Sequence, residues 1–348
     1  MSGLRRLLAA GAGVAVLTAG CAAASHLRAL QPAHVPASPP ITIPSSGTAM
    51  QRGIDLDAYT YAGQDIAAAA RADIAYITSL HADAVLISFP FFVNGQHGSR
   101  VHATSATPTP AQIAVIVRDA QRAELRVSLR PLLDEKSIGT ARRRWAPVSP
   151  TVWFQSYQQF LTPYAVMADR LNVPVFVVGT ELTRFSRSRH WAVLDAELQM
   201  RYHGTLACVD NWDAPHGTGN CGPGTQQLID AYHPLLPPLT STWDAYDQTL
   251  EPGTVEAEVG IAAAPDAYSQ PNVTHWPITQ LDLAVQARWF SAACHAAAAE
   301  HLGGIYFWTL GLSQEPSGPT LADQGNWADS AGARAISTCF AALERSRG

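Results

Sequence analysis

Two glutamates lie at the ends of apolar, β-branched segments that are far apart in the chain. Glu181 follows the segment Val175–Thr180, and Glu258 lies within a second segment, 255–261. Two carboxyl groups brought together from separate strands can hydrolyse a glycosidic bond, because one donates a proton to the leaving oxygen while the other attacks the anomeric carbon or activates water. One glutamate at a strand end usually marks a solvent-facing position, so only the pair and its neighbours point to this chemistry.

Aromatic residues follow two other apolar segments. Trp308 ends the segment 303–308, and Trp212 comes directly after Asn211 at the end of a further segment. Indole rings offer an apolar, polarised platform for the C–H face of a sugar. We expect Trp308 to bind substrate at the mouth of the fold, whereas for Trp212 packing in the core or at the rim is an equal alternative.

Strand-like and helix-like segments alternate from residue 53 onwards. β-branched segments at 85–89, 125–129, 173–178, 255–261 and 304–308 indicate strands, and Ala-rich amphipathic segments at 65–80, 110–123, 151–171, 191–201 and 281–301 indicate helices. Thr109-Pro110 and Ser149-Pro150 are typical helix starts, in which a capping residue precedes a proline in the first turn. The alternation predicts the α/β class, with a parallel sheet covered by helices.

A doubly wound sheet and a (β/α)8 barrel both satisfy this alternation. No GxGxxG follows the first strand and no GxxxxGK[ST] occurs in the sequence, which disfavours the nucleotide-binding versions of the doubly wound sheet. The length suits a barrel, for which about 250 residues plus insertions are typical. We predict a single (β/α)8 TIM barrel over residues 51–348, with its active site at the C-terminal ends of the strands.

Six short motifs occur along the predicted barrel. In chain order they are LRVSLRP at 125–131, an aromatic-rich helix at 153–169, VGTEL at 178–182, YHGTL at 202–206 leading to Asn211-Trp212, IDAYHPL at 229–235 and EVGI at 258–261. From residue 53 to residue 309 this order resembles glycoside hydrolase family 113, the β-mannanase-like group within clan A of retaining (β/α)8 hydrolases.

The resemblance implies a role for individual residues. Glu181 would be the general acid/base and Glu258 the nucleophile of a double-displacement reaction on β-linked hexosides, foremost β-mannan or manno-oligosaccharides. The stretch between Tyr232 and Glu258 is short, which predicts a truncated sixth helix. Tyr232 would also lie close enough to hydrogen-bond to the nucleophile. The expected substrate-binding set is Trp308, Tyr232, Asn211, Trp212 and Arg130.

Two other interpretations stay open. One is a hydrolase of the same clan with another β-glycan as substrate, and the other is a catalytically silent sugar-binding lipoprotein that keeps the barrel. The presence of both glutamates favours catalysis. Leu132 stands where the family usually has a histidine after the third-strand proline, which favours the silent protein.

Glu256 and a run of three arginines need separate interpretations. Glu256 lies two residues before Glu258 and would therefore share its face of the strand. It would be either a buried partner of Arg130 or a rival nucleophile. The basic run Arg142–Arg144 is predicted to be a solvated loop face.

The charge balance and the spacing of reactive residues exclude several classes of protein. The chain has 23 basic and 28 acidic residues and a net charge of −5, which is not the basic footprint of a nucleic-acid binder. The sequence contains no HExxH, no CxxC and no GxSxG, so neither a catalytic metal nor a serine esterase is indicated. We expect a monomer whose partner is an oligo- or polysaccharide, with no metal ion, cofactor or nucleic acid.

The first twenty residues have the layout of a bacterial export signal. Arg5 and Arg6 precede an uncharged apolar run at 7–19, which is too short to span a bilayer. The sequence Thr18-Ala19-Gly20-Cys21 resembles a lipobox, in which the cysteine is lipidated and becomes the new N-terminus. An ordinary secretory signal cut near residues 22–24 is the alternative.

This N-terminal pattern predicts the domain organisation and the location of the protein. Residues 1–20 would be a lipoprotein signal peptide, and residues 21–50 a flexible tether rich in Ala, Pro and Ser. Lipidated Cys21 would anchor the catalytic domain, residues 51–348, to the outer face of the bacterial cell membrane.

Four cysteines remain once Cys21 is assigned to the lipid. An exported protein is in a compartment that permits disulfides, and four cysteines allow three connectivities. The simplest connectivity is Cys208–Cys221 together with Cys294–Cys339, which would close a short loop and join two late helical segments.

Overall fold

The computed structural model describes residues 49–138, 141–214, 221–222, 224–313 and 315–346. The predicted signal peptide, Cys21 and nearly all of the predicted tether lie outside the described residues. Within the described part of the chain, no helix is long and apolar enough to cross a membrane.

Eight parallel strands form a closed barrel. The hydrogen-bonded order is β1-β9-β8-β7-β6-β5-β4-β2, and β1 also pairs with β2 to close the sheet. The additional strand β3 forms an antiparallel hairpin with the end of β2. The predicted (β/α)8 barrel is therefore confirmed. The strands are β1 Gln51–Asp57, β2 Ala84–Val93, β3 Val101–His102, β4 Arg126–Leu133, β5 Val175–Thr180, β6 Thr205–Asn211, β7 Gln226–Asp230, β8 Val255–Val259 and β9 Gly304–Gly311.

Helices between successive strands cover the barrel. Two begin as the sequence predicts: Thr109 caps α2 in a capping box with Gln112, and Ser149 caps α3, each followed by proline. The helix after the sixth barrel strand, α5, has nine residues. The helices are α1 Ile66–Ser79, α2 Pro110–Arg122, α3 Pro150–Arg170, α4 His190–Gln199, α5 Leu239–Asp247, α6 Leu283–Ala299 and α7 Ala331–Arg345.

Apolar side chains fill the barrel and leave its C-terminal end to polar ones. Alternate strand residues point inward in a barrel, and a separate buried cluster consists of such residues, among them Leu86, Val177, Ala257 and Tyr306. The larger cluster joins the outward-facing strand residues to the helices. Because the interior is packed, only the strand ends and the loops after them offer a site.

Two disulfides join segments that are distant in the sequence. Cys208–Cys221 joins β6 to the segment before β7, and Cys294–Cys339 joins α6 to α7, with Cα atoms 6.0 and 6.4 Å apart. The predicted connectivity is therefore confirmed. Cross-links of this kind stabilise a fold mainly by restricting the unfolded chain.

Candidate active site

Polar and aromatic side chains converge at the C-terminal ends of the barrel strands. All eight strands are parallel, so these ends meet at one face of the barrel. The predicted residues are distributed over five strands. Arg130 lies in β4, Glu181 directly follows β5, Asn211 ends β6, Glu258 lies in β8 and Trp308 lies in β9.

Glu258 is buried and held from both sides. The Tyr232 hydroxyl donates a hydrogen bond of 2.8 Å to Oε2, and Nη2 of Arg130 lies 2.8 Å from Oε1 in an ion pair. Burial raises the pKa of Glu258 above its usual range, while Arg130 and the Tyr232 hydrogen bond oppose the rise. The hydrogen bond from Tyr232 that the resemblance implies is therefore present, and Arg130 adds an ion pair to the same carboxyl group.

Arg130 is a fully buried cation among three carboxyl groups. Its guanidinium contacts Asp55, lies 3.4 Å from Asp230 and pairs with Glu258, and its Nε donates to the Ser88 hydroxyl at 2.9 Å. Burial raises the pKa of Asp55 to about 7, and burial followed by the charge of Glu258 raises the pKa of Asp230. Because Arg130 has no exposed surface, it positions Glu258 and leaves direct contact with a ligand to other side chains at the mouth.

Asp55 and Asp230 belong to the site but were not singled out from the sequence. Each is fully buried at the C-terminal end of its strand, β1 or β7. For Asp230 the signal was present, because an aspartate that ends an apolar strand in a predicted barrel faces the mouth, whereas β1, which contains Asp55, was not among the predicted strands. Asp230 even lies inside the motif at 229–235, next but one to Tyr232.

Trp308 lies over Arg130. The guanidinium carbon is 5.2 Å from the centre of the indole, which is half-buried at the mouth. Gly260 allows this arrangement, since a Cβ there would lie 3.1 Å from the Tyr232 hydroxyl and 3.3 Å from the Trp308 ring. A ligand stacked on Trp308 would therefore lie next to Glu258 and Tyr232.

Glu181 leaves the end of β5 in an unusual conformation. Its φ of 56° lies in the left-handed region, which non-glycine residues seldom adopt and which clusters at functional sites. The backbone N–H of Glu181 donates to the carbonyl of Val209 at 2.9 Å. Tyr157 from α3 bonds to the carbonyl of Val178 at 3.0 Å and braces the strand just before the turn.

Arg142 binds the carboxyl group of Glu181. Its Nε and Nη2 lie 2.8 and 2.7 Å from the same oxygen, Oε2. Arg143, the next residue, pairs with Asp213 beside Trp212. The prediction of a solvated loop face is thus wrong for Arg142 and Arg143, because the loop after β4 folds over the barrel mouth and brings both side chains to acidic partners.

Asn211 and Trp212 come from the end of β6, which neighbours β5 on the side away from β4 and its loop with Arg142. Asn211 is buried, and its Nδ2 has no hydrogen-bond partner among the described residues. Trp212 is half-buried, and its ring centre is 5.3 Å from that of His233. Together with Tyr246 these rings line a groove of about 500 Å³ next to α5.

Glu256 does not share the face of Glu258, so that expectation is wrong. The pairing register of β8 shifts against both neighbours, between Ile229 and Asp230 on one side and between Glu256 and Val259 on the other. Such bulges add a residue and re-aim the side chains that follow. Glu256 is therefore turned towards α5, where it interacts with Asp247, whereas Glu258 faces Arg130.

The buried pair of Glu256 and Asp247 predicts a pH-dependent stability. Burial, followed by the charges of Asp244 and Glu300, raises the pKa of Asp247 to about 8. An unfolded aspartate releases its proton near pH 4, so between these values the folded chain holds the extra proton and the free energy of unfolding falls as the pH rises. We expect Asp247→Asn to reduce this fall between pH 5 and 8 by about 1 kcal/mol or more.

Urea unfolding at several pH values measures this difference. The matched control is Asp266→Asn, which removes an exposed carboxyl group on the loop after β8. Identical pH dependence of the wild type and Asp247→Asn would contradict the prediction.

The described residues contain no group of three or more His, Cys, Asp and Glu side chains that could hold a metal ion. What the mouth does contain is a pair of glutamates from the fourth and seventh barrel strands, one clamped by Arg130 and Tyr232 and the other paired with Arg142. This fold and this pair are those expected of a (β/α)8 glycoside hydrolase.

Comparison with known families agrees with that class. Residues 58–220 match the sequence model of Glycoside Hydrolase Family 113. This match confirms the resemblance to that family over the residues that it covers, which contain four of the six motifs, from 125–131 to 202–206 with Asn211-Trp212. No curated protein sequence matches the chain significantly.

Solved structures of low sequence identity share the fold. A GH113 β-1,4-mannanase superimposes with a TM-score of 0.67 at 17% identity, covering 84% of this chain and 99% of the other. The GH113 β-mannanase of Alicyclobacillus acidocaldarius gives 0.68 at 19% identity, covering 85% and 98%. The endo-1,4-β-mannanase of Rhizomucor miehei gives 0.54 at 10% identity, covering 89% and 99%.

Proposed function

We propose that this glycoside hydrolase cleaves β-mannan or manno-oligosaccharides with retention of configuration. The observation that carries the proposal is the clamp on Glu258, because a nucleophile must be fixed and must ionise, and Arg130 and Tyr232 hold its carboxyl group and oppose the rise that burial causes in its pKa. The solved GH113 neighbours are described as β-mannanases, one of them as a β-1,4-mannanase, which supports mannan as the substrate class.

In the first step of the proposed reaction, Glu181 donates its proton to the glycosidic oxygen as the bond to the anomeric carbon breaks. Glu258 attacks the same carbon from the opposite face and forms a glycosyl–enzyme ester. The aglycone leaves as an alcohol. Trp308 would hold the sugar that is attacked, since its indole lies directly above the Arg130 guanidinium that pairs with Glu258.

In the second step, Glu181 takes a proton from water as the water oxygen attacks the anomeric carbon, and Glu258 leaves as a carboxylate. Two inversions give net retention. Arg130 and the Tyr232 hydroxyl stabilise the departing carboxylate through the contacts that they make in the free enzyme. Tyr232 is well suited to this because burial and the charge of Glu258 raise its pKa, which keeps its proton on the hydroxyl.

Product analysis on matched polysaccharides tests the proposal. The purified protein is incubated with β-1,4-mannan, β-1,4-glucan and β-1,4-galactan, and the first anomer formed is identified by proton NMR. We expect the β-anomer from mannan and no product from Glu258→Gln. An α-anomer first would disprove retention, release from glucan or galactan alone would move the substrate to another β-glycan, and no release from any glycan would favour a sugar-binding protein.

We also propose that the protein is exported and anchored through lipidated Cys21. The lipobox-like sequence at residues 18–21 supports this, and so do the two disulfides, which persist in oxidising compartments. The Cys21→Ser variant should appear in the soluble fraction or accumulate as an unprocessed precursor, because no thiol remains to accept the lipid. Membrane fractionation followed by immunoblotting measures this, and equal membrane association of wild type and variant would refute the anchor.

A further inference from the structure

We infer that the sugar on the leaving-group side of the scissile bond carries a carboxylate, which is recognised by a basic surface beside Glu181. The inference rests on the proposed function in taking Glu181 as the general acid. We call this surface the basic rim. It consists of residues from the loops after β4 and β5, namely Lys136, Arg142, Arg143, Arg144, Arg184, Arg187 and Arg189.

The charge of the basic rim is opposite to that of the whole protein. The segments 134–149 and 181–189 together contain seven basic and three acidic residues, in a chain whose net charge is −5. Arg187 and Arg189 are exposed and have no ion pair within the described residues. A local excess of one sign next to a cleft concentrates ligands of the opposite sign.

The two loops form one connected surface. Nη1 of Arg184 donates to the carbonyl of Arg144 at 3.2 Å, and the rings of Trp145 and Phe185 pack edge to face with centres 5.9 Å apart. A cavity of about 460 Å³ opens beside Phe185 with Arg184 and Arg187 in its wall. These contacts hold the two loops against each other and fix Arg184 between them.

Arg142 connects the basic rim to the chemistry. A general acid protonates the oxygen that leaves, so the leaving sugar must lie against Glu181. Arg142 touches Oε2 of that same carboxyl group at 2.7 and 2.8 Å, and its side chain is 24% exposed. An anion on the leaving sugar would therefore be within reach of the Arg142 guanidinium.

The carboxylate on the leaving sugar has a role in catalysis, because it lets Arg142 exchange Glu181 for a substrate group. A guanidinium binds the carboxylate form of its partner, often through two parallel hydrogen bonds, whereas a general acid must carry a proton. A substrate carboxylate that takes over Arg142 leaves Glu181 free to be protonated and to act. A neutral leaving sugar leaves Arg142 paired with Glu181, so we expect it to be cleaved more slowly than a charged one. Recognition of the charge thus promotes the step that needs the proton.

Binding to an inactive variant tests the inference independently of turnover. The Glu258→Gln chain is titrated calorimetrically with β-1,4-mannohexaose in which some primary alcohols are oxidised to carboxylates, and with the same preparation converted to neutral methyl amides. We expect the acidic probe to bind about tenfold more tightly, the size of one charge-assisted hydrogen bond. Introducing Arg142→Gln should remove most of this preference.

Two further variants distinguish recognition of the carboxylate by the basic rim from general electrostatic attraction to the protein. Arg187→Gln alters an exposed side chain of the rim and should weaken the preference by about threefold without affecting folding. Arg170→Gln removes the same charge at the end of α3, on the opposite face of the barrel, and should leave the preference for the acidic probe unchanged. Equal affinity for the two probes, no binding of either, or an equal loss with Arg170→Gln and Arg142→Gln would overturn the inference.

The outcomes also distinguish this inference from the proposed function. Release of product from neutral mannan without any preference for the acidic probe would keep the function and refute the charged substrate. A preference that depends on Arg142, with no release from mannan, would keep the charged ligand and refute mannan hydrolysis.

Discussion

Replacing Glu258 by glutamine will lower kcat by at least about 10⁴-fold on every substrate, because the glycosyl–enzyme ester cannot form without the attacking carboxylate. The loss should not depend on the leaving group, since both chemical steps pass through this ester. Glutamine has nearly the same shape and can still accept the Tyr232 hydrogen bond. The measurement is steady-state turnover on mannan and on activated aryl mannosides, with the thermal midpoint of each variant recorded alongside.

Glu256→Gln is the matched control for this result. It makes the same chemical change two residues earlier on the same strand, but at a side chain that is buried against α5. We expect kcat to stay close to the wild-type value. A dead Glu256→Gln enzyme together with an active Glu258→Gln enzyme would reverse the assignment of the nucleophile.

Replacing Glu181 by alanine will lower turnover by about 10²–10⁴-fold on substrates with poor leaving groups, the range expected for the loss of a general acid. A dinitrophenyl mannoside should be affected much less in its first step, because this leaving group departs without a proton. The glycosyl–enzyme should then accumulate, since no base activates water. Leaving-group dependence and burst kinetics measure the two effects.

Azide provides the positive test of the same variant. A small anion fits the space that the carboxyl group vacates and attacks without needing a base, so it should restore turnover and give a glycosyl azide of β-configuration. An azide of α-configuration, or an equal loss on all leaving groups, would contradict the role of Glu181. The control is Glu181→Gln, in which the side chain still fills the space and rescue should be weaker.

Local patterns in the sequence predicted most of the fold. The β-branched and Ala-rich segments alternate with the right lengths, and Thr109 and Ser149 mark helix starts that the structure confirms. The alternation fits an open sheet as well, and the barrel was favoured by the length of the chain and by the absence of nucleotide-binding motifs. The cysteine pairing was also within reach, since four cysteines allow few connectivities.

The sequence by itself therefore determined the barrel, the disulfides and the two glutamates at strand ends, because each depends on residue type and spacing along one stretch of chain. Only the tertiary structure decided which side chains contact one another in the site. The bulge in β8 turned Glu256 away from Glu258, and the fold of the loop after β4 placed Arg142 on Glu181. Such contacts join residues tens of positions apart, and their geometry depends on strand register and loop path, which residue spacing does not encode.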